Sequence, residues 1–168
     1  MPDVLLRPAI LADLAVINAI YNHYVLASTC TYQTEPETAA ARAAWFKAHG
    51  PEHPIMVAER DGAIVGWGSL SRFHPRTAYG RTVENSIYVH PKHHRQGIGA
   101  ALLAEQIERA RALGHQTIIA GIDAEQTASV SLHAKFGFTR VGYLVRVGFK
   151  FERWLDVIYM QRMLATAP

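Results

Sequence analysis

The stretch Ser86-Ile87-Tyr88-Val89-His90-Pro91-Lys92-His93-His94-Arg95-Gln96-Gly97-Ile98-Gly99-Ala100-Ala101-Leu102-Leu103 reads as a strand, a tight turn with two glycines, and the start of a helix. The first turn of a helix carries unpaired N–H groups and the positive end of the peptide dipole. Glycines there let the backbone approach a ligand closely, so the turn can cradle phosphate, with Arg95 adding a formal charge. Two other readings stand beside this one: a purely structural strand–helix turn, and a dinucleotide fold. The dinucleotide fingerprint wants a third glycine and an acid about 20 residues on; this chain has Leu102 in the glycine position and Thr117-Ile118 in the acid's place.

Upstream, Thr82 to His90 alternates, with Val83, Asn85, Ile87 and Val89 on one face and Thr82, Glu84, Ser86 and Tyr88 on the other. Ile55–Arg60 and Ala63–Leu70 flank Asp61-Gly62 and predict a hairpin. The 72–81 segment reads as a loop. Nearer the N-terminus, Val4–Leu6 predicts a strand, and Ile10, Leu14, Ile17, Tyr21 and Tyr24 recur at helical spacing. Thr34-Glu35-Pro36-Glu37 has the form of a capping box ahead of a helix over Thr38–Ala48. Downstream, a helix over Gly97–Leu113 ends at Gly114, a short buried strand covers Thr117–Ile122, and a helix over Gln126–Phe136 stops at Gly137. Phe138–Leu144 and Lys150–Met163 predict two further strands. The order β-α-α-β-β-β-α-β-α-β-β implies an α/β (α+β) fold, helices packed on a mixed sheet.

The chain has 168 residues, 49% hydrophobic and 18% charged, which suits one domain over residues 1–168 with a real core and excludes a disordered or low-complexity segment. No apolar run reaches the ~18–20 residues of a bilayer crossing, and no secretory signal is read at the N-terminus. The single cysteine, Cys30, cannot form an internal disulfide, which suits a reducing, cytoplasmic home. Lys plus Arg is 17 and Asp plus Glu 14, a net +3 with no basic run; that argues against nucleic acid and is compatible with a small polyanionic ligand. His90, His93 and His94 lie on a strand–turn with Pro91 and no completing acid or cysteine, so no metal site is expected. Cys30 reads as a small filler near a polar loop.

The segment Tyr88-Val89 followed by His94-Arg95-Gln96-Gly97-Ile98-Gly99-Ala100 resembles the (Gln/Arg)-x-x-Gly-x-(Gly/Ala) signature of the GNAT N-acetyltransferase superfamily. Ser129 to His133 with Lys135-Phe136-Gly137-Phe138 resembles that family's closing segment. Tyr21-Asn22-His23-Tyr24, Ser28-Thr29, Thr34-Glu35-Pro36, Arg76-Thr77-Ala78-Tyr79, Thr82-Val83-Glu84, Gly148-Phe149-Lys150 and Trp154-Leu155-Asp156 are similar to the phosphinothricin and methionine sulfoximine acetyltransferase branch. Two positions depart: His94 stands at the signature's Gln/Arg, and Gln126 where Asn is frequent.

The resemblance implies a mixed, mostly antiparallel sheet flanked by helices and direct transfer of an acetyl group from acetyl-CoA, without a metal, to a small-molecule amine. It implies a coenzyme site built from Ile87, Tyr88, Val89, His94, Arg95, Gln96, Gly97, Ile98, Gly99, Ala100, Gln126 and Ser129. Such chemistry needs a base for the amine, a donor for the thioester oxyanion, and allows an acid for the thiolate. Glu84 is the expected base, ~17 Å up the strand from Val89 at ~3.4 Å per residue; a solvated surface carboxylate is the plain alternative. His133 is the candidate acid, or a second base beside Glu84, against the alternative of a satisfied helix histidine. The N–H of Val89 is the expected oxyanion donor.

Substrate contacts are expected from the 72–81 loop. The resemblance implies that Arg76 and Tyr79 hold the acidic end of the amine substrate, Arg76 through paired N–H bonds, with His74 in the same loop and Thr29 and Tyr32 on the opposite wall; a solvated loop arginine is the plain alternative. A glutamate-like amino acid is favoured over a polycation. Two other functions stay open: acetylation of a protein N-terminus, lysine or polyamine, and a non-catalytic coenzyme sensor. Apolar C-terminal strands and the resemblance together imply a homodimer.

Overall fold

The computed structural model describes residues 3–164. Among the described residues seven strands form one sheet in the order β1-β2-β3-β4-β5-β7-β6. They are β1 Leu5–Pro8, β2 Ile55–Arg60, β3 Ala63–Arg72, β4 Thr82–Val89, β5 Thr117–Asp123, β6 Thr139–Lys150 and β7 Arg153–Met163. Only β4 and β5 run parallel; every other neighbouring pair is antiparallel. Helices α1 Leu14–Ala27 and α2 Ala39–Ala48 precede the β2–β3 hairpin, α3 Ile98–Ala112 joins β4 to β5, and α4 Thr127–Lys135 joins β5 to β6. The mixed, mostly antiparallel sheet with flanking helices is the architecture expected above.

Strand alternation sorts the side chains to two faces. Val83, Ile118, Ala120, Ile122, Ile158 and Met160 bury against Leu103 and Ile107 of α3 and Val130 of α4. On the opposite face Trp67 and Val57 bury against Ile17 and Ile20 of α1. β4 divides as its sequence predicts: Val83 joins the α3 side, while Tyr88 packs on Trp67 with ring centroids 4.8 Å apart.

Apart from bulges in the β2–β3 and β6–β7 pairs, the sheet is interrupted between β4 and β5. β4 pairs with β5 only over Thr82–Glu84 against Thr117–Ile119, although β4 continues to Val89 and β5 to Asp123. Beyond Glu84 the two strands part, and a parallel pair that parts leaves backbone groups without ladder partners. The register shows which ones. His90 N–H donates to Val65 O at 2.9 Å, so Val89 and its partner Gly66 form a non-hydrogen-bonded pair. The N–H and C=O of Val89, and by the same alternation those of Ile87, therefore point away from β3 into the gap.

Four local expectations need correction. Ile10 precedes the first helix instead of opening its buried face: a short 3-10 turn covers Leu11–Asp13, and Ile10 N–H donates to the Asp13 carboxylate at 2.8 Å. Arg7 pairs with the same carboxylate and holds it below its usual range. The helix cap is Thr38, whose hydroxyl accepts from Ala41 N–H at 3.1 Å, not Thr34; Glu37 instead pairs with the buried Arg42. Arg42 lies over the rings of Tyr21 and Trp45, 4.6 and 4.5 Å from their centroids. Residues 145–149 belong to β6, and the hairpin turn is Phe151-Glu152, with φ of 52° and 60°. Gly148 is in the strand because a Cβ there would lie 2.5 Å from the Tyr32 ring. Finally, β3 runs on to Arg72, and Thr77–Tyr79 inside the loop forms a 3-10 turn.

Candidate active site

The parted strands open a cavity of about 690 Å³ in the sheet. One wall is β4 from Asn85 to Val89, and the other is β5 from Ala120 to Asp123. The turn residues His94, Arg95, Gly97, Ile98, Gly99 and Ala100 line one part of it, and Gln126, Ser129 and His133 another.

At the turn, Arg95 and Gly97 both adopt the left-handed region, with φ of 58° and 79°. That conformation costs a non-glycine residue about 1–2 kcal/mol, and it aims successive N–H groups to one side. The first helical bond of α3 is Ala101 N–H to Gly97 O, so the N–H groups of Ile98, Gly99 and Ala100 have no helical acceptor. A Cβ added at Gly99 would meet only Leu132 at 3.5 Å and Val89 at 3.7 Å, ordinary contacts. Gly99 is thus not required by the packing of the free protein; its bareness leaves the cradle open.

Other expected residues divide. His94 turns its Nε2 inward, 2.5 Å from the Tyr24 hydroxyl and 3.2 Å from Val89 O. Tyr24 itself donates to Val89 O. Gln96 does not line the cavity; its amide oxygen accepts from Arg60 and its NH2 donates to Lys92 O. Gln126 lines the cavity and donates to Thr29 Oγ1 at 3.1 Å. Thr29 and Tyr32 do not line it. Their hydroxyls donate to the buried Asp123 carboxylate at 3.1 and 2.7 Å, tying the 28–33 loop to the end of β5. Arg76 and Tyr79 are exposed, and the Arg76 N–H donates to His74 Nδ1 at 3.2 Å. Tyr24, Cys30, Asn85, Asp123 and Lys135 line the cavity without having been singled out for it by sequence. Asn85 was legible as a polar residue on an otherwise apolar face, and Tyr24 and Lys135 lie in segments that carry the resemblance; Cys30 and Asp123 carried no signal for the cavity. Of the three histidines, His90 Nδ1 accepts from Lys92 N–H and His94 faces Tyr24, and among the described residues no group of three His, Cys, Asp or Glu is placed to hold a metal ion.

Glu84 and His133 occupy opposite faces. Glu84 reaches across β5: a methyl group added to Gly121 would lie 3.3 Å from Glu84 Oε1 and 3.4 Å from the Tyr159 ring. Burial pushes the Glu84 carboxyl up, with no charge or hydrogen bond offsetting it. His133 belongs to the α3 side. Its Nδ1 lies 2.8 Å from Ser129 O, its Nε2 3.0 Å from Asn85 Nδ2, and burial lowers it from its ordinary value.

The acetyltransferase (GNAT) family profile matches residues 17–138. The chain is 38% identical over 154 residues to the L-methionine sulfoximine/L-methionine sulfone acetyltransferase of Salmonella typhimurium, covering 91% of this chain and 90% of that one. This chain belongs to the GNAT acetyltransferase family. The acetyltransferase is also 40% identical over 154 residues to the phosphinothricin N-acetyltransferase of Alcaligenes faecalis, with 90% and 78% coverage. Its fold superposes on the crystal structure of a phosphinothricin acetyltransferase from Sinorhizobium meliloti in complex with AcCoA. The TM-score is 0.94, at 41% identity, with 98% of this chain and 90% of that one covered.

A raised carboxyl has a consequence for stability. The folded acetyltransferase holds the Glu84 proton more tightly than the unfolded chain does. Its ionised form therefore costs stability in full above the folded midpoint, and the cost disappears as pH falls through that midpoint to the unfolded one. Glu84→Gln cannot ionise. It is expected to be more stable than wild type at neutral pH, by on the order of 0.5–2 kcal/mol, and to lose that advantage near about pH 4. Paired calorimetric scans check this, and a variant melting below wild type at neutral pH contradicts it.

Proposed function

We propose that this acetyltransferase transfers the acetyl group of acetyl-CoA to the free amine of a small glutamate-like amino acid, of the phosphinothricin or methionine sulfoximine kind, by direct attack on the thioester. The observation that carries the reading is the cavity in the parted sheet, with an anion cradle on the α3 side; the unpaired Glu84 carboxylate does not line it but lies against Gly121, which does, on the other face of β4.

The residues present suit the coenzyme. The free N–H groups of Ile98, Gly99 and Ala100, with Arg95 beside them, suit a pyrophosphate. The unpaired strand edge at Ile87 and Val89 suits an arm that carries amide groups. Gln126 and Ser129 line the remaining wall. The amine then approaches from the Glu84 side.

In this scheme the amine nitrogen bonds to the acetyl carbon as the carbon–sulfur bond breaks. The amine's proton passes to Glu84, through a water, and the carboxyl raised by burial is closer in affinity to such a task than a solvated one. Val89 N–H, pointing into the gap, donates to the developing oxyanion. His133 has its N–H on Ser129 O and its other nitrogen on Asn85, so the departing thiolate takes its proton from solvent. Arg76 and Tyr79, in the exposed loop before β4, receive the substrate's acidic end.

The test is a coenzyme A release assay against free amino acids, their sulfoximine and phosphinate analogues, polyamines and peptide N-termini. Acidic amino acids and their analogues are expected to be the best substrates. Glu84→Gln is expected to lower kcat ~10²- to 10⁴-fold at pH 7 with acetyl-CoA affinity nearly unchanged. Turnover confined to polyamines or peptides, or an unaltered kcat in Glu84→Gln, contradicts the scheme.

A homodimer in the cytoplasm completes the proposal. β6 is an edge strand, and Val141, Tyr143, Val145 and Val147 are each more than half exposed, with Phe149 and Trp154 beside them. A monomer seldom leaves so much contiguous apolar surface on an open strand edge. The lone Cys30 suits a reducing compartment. Sedimentation should give a dimer that Val145→Lys with Val147→Lys turns into monomers, and cell fractionation should place the enzyme with cytosolic markers. A monomeric wild type, or recovery from an oxidising compartment, overturns the respective part.

A further inference from the structure

Beneath the site lies a chain of buried side chains that the chemistry above does not use. Gln106 of α3 donates through Nε2 to two backbone carbonyls, Ser86 O at 2.9 Å and Ser69 O at 3.2 Å. Its Oε1 accepts from Asn85 Nδ2 at 3.3 Å, and the same Nδ2 lies 3.0 Å from His133 Nε2. His133 Nδ1 in turn lies 2.8 Å from Ser129 O. Gln106, Asn85 and His133 are all more than nine-tenths buried.

The direction of every bond follows from the two ends. A backbone carbonyl only accepts. Ser69 O and Ser86 O therefore require the NH2 of Gln106, which turns its oxygen to Asn85. That oxygen requires the NH2 of Asn85, whose second hydrogen points at His133 Nε2. At the other end Ser129 O requires a proton on His133 Nδ1. His133 is left with one proton, on Nδ1, and a lone pair on Nε2. Rotating the Asn85 amide to meet an Nε2–H would put its oxygen against Gln106 Oε1. The orientation holds although it leaves Asn85 Oδ1 buried with no partner, a cost of ~1–3 kcal/mol in general.

We propose that Gln106 and Asn85 are positioning residues that fix His133 as the neutral, Nδ1-protonated imidazole, so that Glu84 is the one group of the free enzyme that takes up the amine's proton. The consequence for catalysis rests on the acetyl-transfer reading; the state of His133 does not. Protonation of Nε2 sets an N–H against the Asn85 NH2, and burial pushes in the same direction. The groups packed on His133 are Asn85 from β4, Ser129 from its own helix and the Phe138 ring, 4.9 Å away, and none carries a charge. The charged or titratable residues sharing the cavity are Tyr24, Cys30, Tyr88, His93, His94, Arg95, Asp123 and Lys135. Glu84 projects from the other face of β4.

The experiment is nitrogen-15 NMR of the full-length wild-type protein labelled at histidine, followed as the pH is lowered. His133 is expected to show a protonated Nδ1 and an unprotonated Nε2. It should titrate below the ordinary histidine midpoint of about 6.5. An Nε2–H tautomer, or titration at or above that midpoint, overturns the proposal. Asn85→Asp supplies an acceptor in place of the donor, and there the His133 signals are expected to become those of an imidazolium at pH 7; unchanged signals in a folded variant overturn it too. The wild-type spectrum stands whether or not the variant folds. It also separates this proposal from the acetyl-transfer reading, which the coenzyme A release assay tests by itself.

Discussion

The parallel pairing of β4 with β5 stops after Glu84, and the rest of the site depends on that break. A fully paired β4 would spend the N–H groups of Ile87 and Val89 on β5 and close the sheet. Because the strands part instead, one strand presents side chains to both faces of the sheet at the gap. Its even-numbered residues deliver Glu84 to the face of α1 and α2, while its odd-numbered ones deliver Asn85, Ile87 and Val89 to the face of α3 and α4. In the proposed reaction the coenzyme and the amine come from opposite sides of the sheet and meet in the gap, with only a pleat between the groups assigned to each.

A set of buried ties flanks the gap. Gln106 spans β3 and β4 from below through Ser69 O and Ser86 O, and Asn85, the residue just past the last β4–β5 pair, reaches down to α4 through His133. On the opposite face Asp123, at the end of β5, holds the 28–33 loop through Thr29 and Tyr32. Lys150, buried near the end of β6, donates to Ser28 O and Thr31 O of the same loop. Buried polar chains of this kind stabilise little beyond their own desolvation, but they admit few alternative arrangements.

The strand–turn–helix of the coenzyme side was legible because its signals are local: strand alternation, two glycines and a helix start lie within 18 consecutive residues, Ser86 to Leu103. The capping residue was misplaced because Thr34 and Thr38 both precede a glutamate or an alanine-rich run, and Asn18 and Asn22 of α1 decide between them by holding the Glu37 backbone in the loop. The β6–β7 turn was hidden for a different reason. Phe151 and Glu152 carry no turn signature, and Gly148, which does, exists to admit a ring from residue 32. Long-range partners likewise account for Thr29 and Tyr32: nothing in the sequence says that two hydroxyls will find Asp123, 94 and 91 residues away. Local signals thus placed β4, the turn and α3, whereas the supports around them are set by contacts between distant segments.

The central claim is that the parted edge of β4 and the first turn of α3 together hold the coenzyme. It is tested most directly by amide-resolved hydrogen exchange of the wild-type protein with and without coenzyme A. Slowed exchange at Ile87, Val89, Gly99 and Ala100, with little change at β2 and β3 residues such as Val57 and Val65, is the expected result. Exchange at Val89 and Gly99 that coenzyme A leaves unaltered at saturation would contradict the account.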